Sequence, residues 1–137
     1  VDRETIDNTH IWKGAFTMAS IDNPQNVLYE GQIKHILKTD AFGEWLNGLR
    51  DRKARLRIDD RIRRISDGNF GDTKAVGDGV QELRLPFGPG YRIYYIWHGP
   101  VLIILLHGGD KSSQARDIAK AKSLAKEIRD GGETDSF

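Results

Sequence analysis

Apolar residues recur along the chain with two different periods. Polar and apolar residues mix across residues 32–38, with Ile33 and the Ile36-Leu37 pair as the apolar members, and the segment reads as a first strand. Thr39 or Asp40 then caps a short helix carrying Phe42, Trp45, Leu46 and Leu49. A second helix is predicted over about residues 52–67, because Ala54, Ile58, Ile62 and Ile65 follow one buried stripe and Gly68 is a natural stop. Residues 69–79, with their glycines, read as loop. Three strands follow at 80–85, 91–97 and 101–107, separated by the turns Pro86-Phe87-Gly88-Pro89-Gly90 and His98-Gly99-Pro100. Ser112 or Ser113 caps a last helix to about residue 129, with Ala115, Ile118, Ala121, Ala125 and Ile128 on one face. The expected fold is a small α+β domain. Its mostly antiparallel four-stranded sheet carries the first two helices packed on it and a C-terminal helix.

The first hairpin fixes a register. If Leu85 pairs with Tyr91 across the five-residue turn, Arg84 faces Arg92, Leu83 faces Ile93 and Glu82 faces Tyr94. Successive side chains alternate between faces, so Leu83, Leu85 and Ile93 form the helix-covered side. Glu82, Arg84, Arg92 and Tyr94 gather on the other. A two-residue turn in the next hairpin puts His107 on that same side near Arg92, and Gly108-Gly109-Asp110-Lys111 leaves the sheet at the same edge. Two directly opposed arginines repel unless an anion, or Glu82, sits between them.

Composition limits the possible chemistry. The 137 residues suffice for one domain, taken as 33–129, with an N-terminal extension (1–32) and a disordered tail (130–137). The segment Asp22-Asn23-Pro24-Gln25-Asn26 reads as loop, and Met18 is a candidate native start. No apolar run approaches the roughly 20 residues of a membrane helix. No segment reads as a secretory signal, and a cytoplasmic location is expected. The absence of cysteine excludes a disulfide scaffold, a thiolate nucleophile and a Cys-based zinc site. With the whole chain at +1 and each end at −3, the middle carries +7. A basic body between acidic ends suits a polyanion such as RNA, although a surface merely rich in Lys and Arg would look the same.

Cleavage of RNA by its own 2′-hydroxyl needs a base, an acid, and positive charge on the pentavalent phosphorane. Arg84, Arg92 and Lys111 can supply the charge, Glu82 or His107 can move protons, and Tyr94 can stack on a base. Neither metal nor cofactor is called for, and His10, His35, His98 and His107 show no ligand spacing. Each residue also has a plainer role. Glu82 and Arg84 can form an ordinary salt bridge on a solvated sheet face, and His107 can simply end a strand. The run from Arg50 to Arg64, with eight Arg or Lys against three Asp, can be a solvated helix face; alternatively Arg57, Arg61 and Arg64 bind RNA.

Several short motifs occur in order. They are Trp45-Leu46, Arg50-Asp51, Ala54-Arg55, Arg61-Ile62, Arg64-Ile65 and Gly68-Asn69, then Gly71-Asp72, Lys74, Val76-Gly77 and Gly79-Val80. Glu82-Leu83-Arg84, Gly88-Pro89-Gly90-Tyr91-Arg92-Ile93-Tyr94-Tyr95 and Gly108-Gly109-Asp110-Lys111-Ser112-Ser113-Gln114 complete the set. Over about residues 33–128 the chain resembles the RelE/ParE toxin superfamily, in its phage-derived addiction-module-killer branch close to HigB. The resemblance implies a RelE-like fold, ribosome-dependent mRNA cleavage without metal, and an antitoxin partner, often a helix-turn-helix DNA-binding protein. It implies a catalytic role for Arg92, which matches the arginine of a Gly-Tyr-Arg motif, and a match of Lys111 to basic residues after the last strand. Glu82 stands where RelE has lysines, and Ala115 and Arg116 stand where RelE has a tyrosine; Lys74 is a substitute cation. A ParE-like gyrase inhibitor and an inactive interaction protein are the competing readings. The Arg84, Arg92 and Lys111 group favours the nuclease, since a protein contact needs no cations focused on one point.

Overall fold

Local signals set most element boundaries. The computed structural model describes residues 29–30, 35–100 and 102–135. The chain forms β1 (Tyr29–Glu30), β2 (His35–Lys38), α1 (Asp40–Asn47) and α2 (Arg52–Ser66). Then come β3 (Thr73–Gly77), β4 (Val80–Arg84), β5 (Arg92–His98), β6 (Leu102–Gly109), a 3-10 turn (Lys111–Ser113) and α3 (Gln114–Asp135). The predicted extension, apart from Tyr29 and Glu30, lies outside the described residues, with the loop around Pro24 and the candidate start at Met18. So do residues 32–34 of the first strand, Val101, and the last two residues of the tail.

Thr39 caps α1. Its hydroxyl oxygen accepts from the Phe42 N–H at 3.1 Å and donates to the Leu106 carbonyl at 2.7 Å, so the cap also fastens α1 to β6. Asp51 caps α2 by accepting from the Ala54 N–H at 3.1 Å. Asp110, rather than Ser112 or Ser113, opens the last helical segment: its carboxylate accepts from the Ser112 N–H at 2.8 Å. The helix then continues to Asp135, beyond the predicted end at 129 and into the expected disordered tail. A nucleated helix gains a hydrogen bond per added residue, which offsets the roughly 1 kcal/mol cost of each glycine there.

The sheet order is β1-β2-β6-β5-β4-β3. Only β2 and β6 run parallel. Two strands exceed the four expected. β1 is a two-residue edge, and β3 replaces the second half of the predicted loop at 69–79. The overlooked signal is Asp78-Gly79, both at positive φ (56° and 79°), a two-residue turn that matches the twist of paired strands.

The larger correction concerns the second face. Ile58, Ile62, Ile65 and Phe42 cover Leu83, Leu85, Ile93, Ile103 and Leu105, as the pattern predicts. The opposite face is not open, because Ala121, Leu124, Ala125 and Ile128 of α3 pack on Leu37, Val80, Ile96, Ile104 and Leu106. The apolar runs in β5 and β6 are continuous rather than alternating, the pattern of strands buried on both sides. The buried stripe of α3 also differs from expectation. Ala115 is exposed, and Asp117 takes the sheet-facing position one turn before Ala121.

Candidate functional site

The first hairpin has the register read from its sequence. The Leu85 N–H donates to the Tyr91 carbonyl at 2.9 Å, and Arg84 pairs with Arg92, Leu83 with Ile93 and Glu82 with Tyr94. Glu82 is fully buried. Its Oε2 accepts from the Tyr94 hydroxyl at 3.0 Å and from Gln114 Nε2 at 2.7 Å. The Nε of Arg92 lies 3.8 Å from that oxygen, and the Nε of Arg84 lies 3.9 Å from Oε1. The carboxylate thus offsets the repulsion between the two arginines. Neither Nε, nor Oε1, makes a hydrogen bond. Arg84 is the more open of the pair, at 37% side-chain exposure against 11% for Arg92.

The 3-10 turn brings the Lys111 backbone against the β4–β5 turn. The Lys111 N–H donates to the Pro89 carbonyl at 3.4 Å. A methyl group on Gly90, which has φ of 80°, would meet Lys111 Cβ at 3.3 Å and Arg92 Nη1 at 3.7 Å. Gly90 therefore leaves room for the stem of Lys111 beside the Arg92 guanidinium. Lys74 lies on β3 opposite Glu82, exposed at the sheet's edge rather than in a loop.

Two expectations change. Tyr94 is fully buried, its ring within the core beneath α3, so it has no face to offer a base. Burial, and then Glu82, push its hydroxyl well above the usual phenol range. It holds Glu82 in place. His107 lies on the expected face but opposite Tyr94, and Gly109 takes the place opposite Arg92. The turn is longer than two residues, since His98 pairs with Leu102, and a bulge leaves Leu106 with no register partner on β5. His107 Nε2 lies 3.0 Å from Asp117 Oδ1, and the other Asp117 oxygen accepts from the Ser113 hydroxyl. Burial holds the imidazole below its ordinary pKa, against the opposing pull of Asp117.

Gln114 and Asp117 were missed by sequence reasoning. Gln114 stood within a quoted motif, and Asp117 sits on the period of Ala121, Leu124 and Ile128, where a carboxylate must find a buried partner. Arg57, Arg61 and Arg64 on α2 line a cleft whose wall also includes Arg84. Among the described residues no group of three His, Asp or Glu converges to hold a metal.

Residues 44–130 match the family described as phage derived protein Gp49-like (DUF891). The chain belongs to this family. An uncharacterized protein of Haemophilus influenzae is 50% identical over 97 residues, 71% of this chain and 95% of the relative. No solved structure matches. The Gp49-like family belongs to the RelE/HigB-like toxin superfamily, which points to the toxin of a toxin–antitoxin pair and to an antitoxin as partner. The matched span takes in the Arg84–Arg92 hairpin, Lys111 and Gln114. No helix among the described residues is long and apolar enough to cross a membrane.

Proposed function

We propose that this Gp49-like chain is a HigB-like toxin that cuts mRNA on the ribosome in the cytoplasm, held in check by a helix-turn-helix antitoxin. The observation that carries this reading is the Arg84–Arg92 pair, opposed across one hairpin over the buried Glu82, with the stem of Lys111 beside Gly90. In the reaction the 2′-hydroxyl gives up its proton as its oxygen attacks phosphorus, a cyclic phosphate forms, and the bond to the 5′-oxygen breaks as that oxygen takes up a proton. Negative charge builds on the phosphorane between. Guanidinium groups held near that point stabilise this charge more than the ground state, and a bidentate Arg contact also fixes the phosphate's orientation. Glu82 sets the two arginines, and His107 acts through Asp117 to seat the segment that carries Lys111. Lys74, Arg57, Arg61 and Arg64 add charge for the RNA backbone.

In a translating extract, primer extension should reveal new mRNA 5′ ends at the ribosomal A site. Arg92→Ala should lower their rate of appearance by about 10²–10³-fold, the usual cost of losing one such donor. Intact mRNA together with inhibited DNA supercoiling would replace this reading with a gyrase inhibitor. Intact mRNA with growth unaffected would replace it with an inactive binding protein.

A further inference from the structure

We propose that the cleft between α2 and the β4–β5 turn holds a single-stranded segment of RNA beside the phosphate gripped by Arg84 and Arg92. The proposal rests on the nuclease reading for the identity of that phosphate, but not for binding in the cleft. The cleft measures about 600 Å³, inside the range of about 300–1,000 Å³ usual for ligand sites. Arg57, Arg61, Arg64 and Arg84 line it against two aspartates, Asp60 and Asp72, so its charge is positive.

Each guanidinium is held before any ligand arrives. Arg57 Cζ lies over the Phe87 ring, 3.9 Å from its centre. Arg61 donates from Nη2 to the Phe70 carbonyl at 2.9 Å, in space left by Gly71, which has φ of 72°. Arg64 pairs with Asp60 at 2.9 Å, and Arg84 stands 3.7 Å from Asp72. Cations fixed in advance lose less entropy on binding. Arg84 makes the cleft continuous with the hairpin site, because the same side chain lines the cleft and faces Arg92.

The lining also distinguishes one strand from two. A duplex presents phosphates outward and keeps its bases stacked, whereas a single strand also presents base faces. Arg57 over Phe87 forms a platform that a base can cover with its π-face. Leu56, 63% exposed, adds apolar surface at the same cleft. An acidic peptide would use the arginines and leave this platform idle.

The test titrates the full chain with a fluorescein-labelled hexanucleotide bearing 2′-O-methyl groups, which block cleavage, and with the same sequence as duplex. The single strand should bind more tightly. Phe87→Leu and Arg57→Gln should each weaken it about tenfold, with circular dichroism confirming the fold. Doubling Arg57→Gln with Arg64→Gln should lower the salt slope by about 0.7 per arginine lost. Equal affinity for the duplex, or unchanged binding in Arg57→Gln, overturns the proposal. Preference for a hexaglutamate peptide overturns it in favour of a protein partner. Binding that depends on Phe87 and Arg57 while mRNA stays intact in the extract removes the nuclease reading alone. A-site cleavage with binding indifferent to both changes removes the cleft alone.

Discussion

The two faces of the sheet differ in what they bury. Beneath α1 and α2, Ile58, Ile62 and Ile65 meet Leu83, Ile93, Ile103 and Leu105 in a buried apolar layer. Beneath α3 the layer is equally apolar around Ala121, Leu124 and Ile128, but the two buried carboxylates among the described residues, Glu82 and Asp117, both lie there. They sit toward the start of α3, one under the arginine pair and one under His107. One face therefore supplies cohesion, and the other trades some of it to hold charge at a fixed place.

The largest effect should come from the face beneath α1 and α2. Ile62→Ala should cost about 2–5 kcal/mol of unfolding free energy in a urea titration, because a fully buried side chain leaves a cavity. Glu82→Ala should cost about 3 kcal/mol by the same measurement, since Arg84, Arg92, Gln114 and Tyr94 would all lose a partner. A cost near that of a surface change would show that the carboxylate does not organise its face. Tyr94→Phe keeps the ring and removes one donor, so about 1 kcal/mol is expected.

The smallest effect is a pH dependence. Burial holds the His107 imidazole below its ordinary value of 6.5, so the unfolded chain takes up a proton before the folded one does. Stability is then complete above pH 6.5 and falls as pH drops through and below it. Burial lowers His98 as well, and it contributes in the same direction. The discriminating quantity is a difference: His107→Asn should flatten part of the slope that denaturation midpoints show between about pH 7.5 and 5.5. An unchanged slope would mean that His107 does not titrate in a buried setting.

The first hairpin was legible because a turn of known length joins two strands of clear alternation, which fixes Arg84 against Arg92. The helix stripe of Ala54, Ile58, Ile62 and Ile65 was legible for the same reason of period. The cover over the second face was not. Tyr94-Tyr95-Ile96 and Ile103 to Leu106 carry apolar residues on both sides, and periodicity does not say which helix packs against the second. The position of His107 depends on a bulge, and nothing local requires one. Its surroundings involve distant contacts: a side chain on Gly108 would overlap the Trp45 ring, and one on Gly109 would overlap the Asp117 carboxylate. The partners of Glu82 were half legible, since Tyr94 follows from register whereas Gln114 depends on how α3 crosses the sheet.

The parallel pairing of β2 with β6 bears on the timing of folding. β6 lies inside the sheet but is its last strand in sequence, and the contact between Thr39 and Leu106 spans 67 positions. So long a loop closes at an entropic cost before its contacts repay any of it. At about 5–20 residues per second, a nascent chain carries β2 for roughly 3–13 s before its neighbour is made. The Arg84–Arg92 hairpin emerges only late in that interval, and Glu82 still awaits Gln114, 32 positions further along the chain. A chain proposed to halt ribosomes thus gains its competent form only after β6 and the start of α3 have been made.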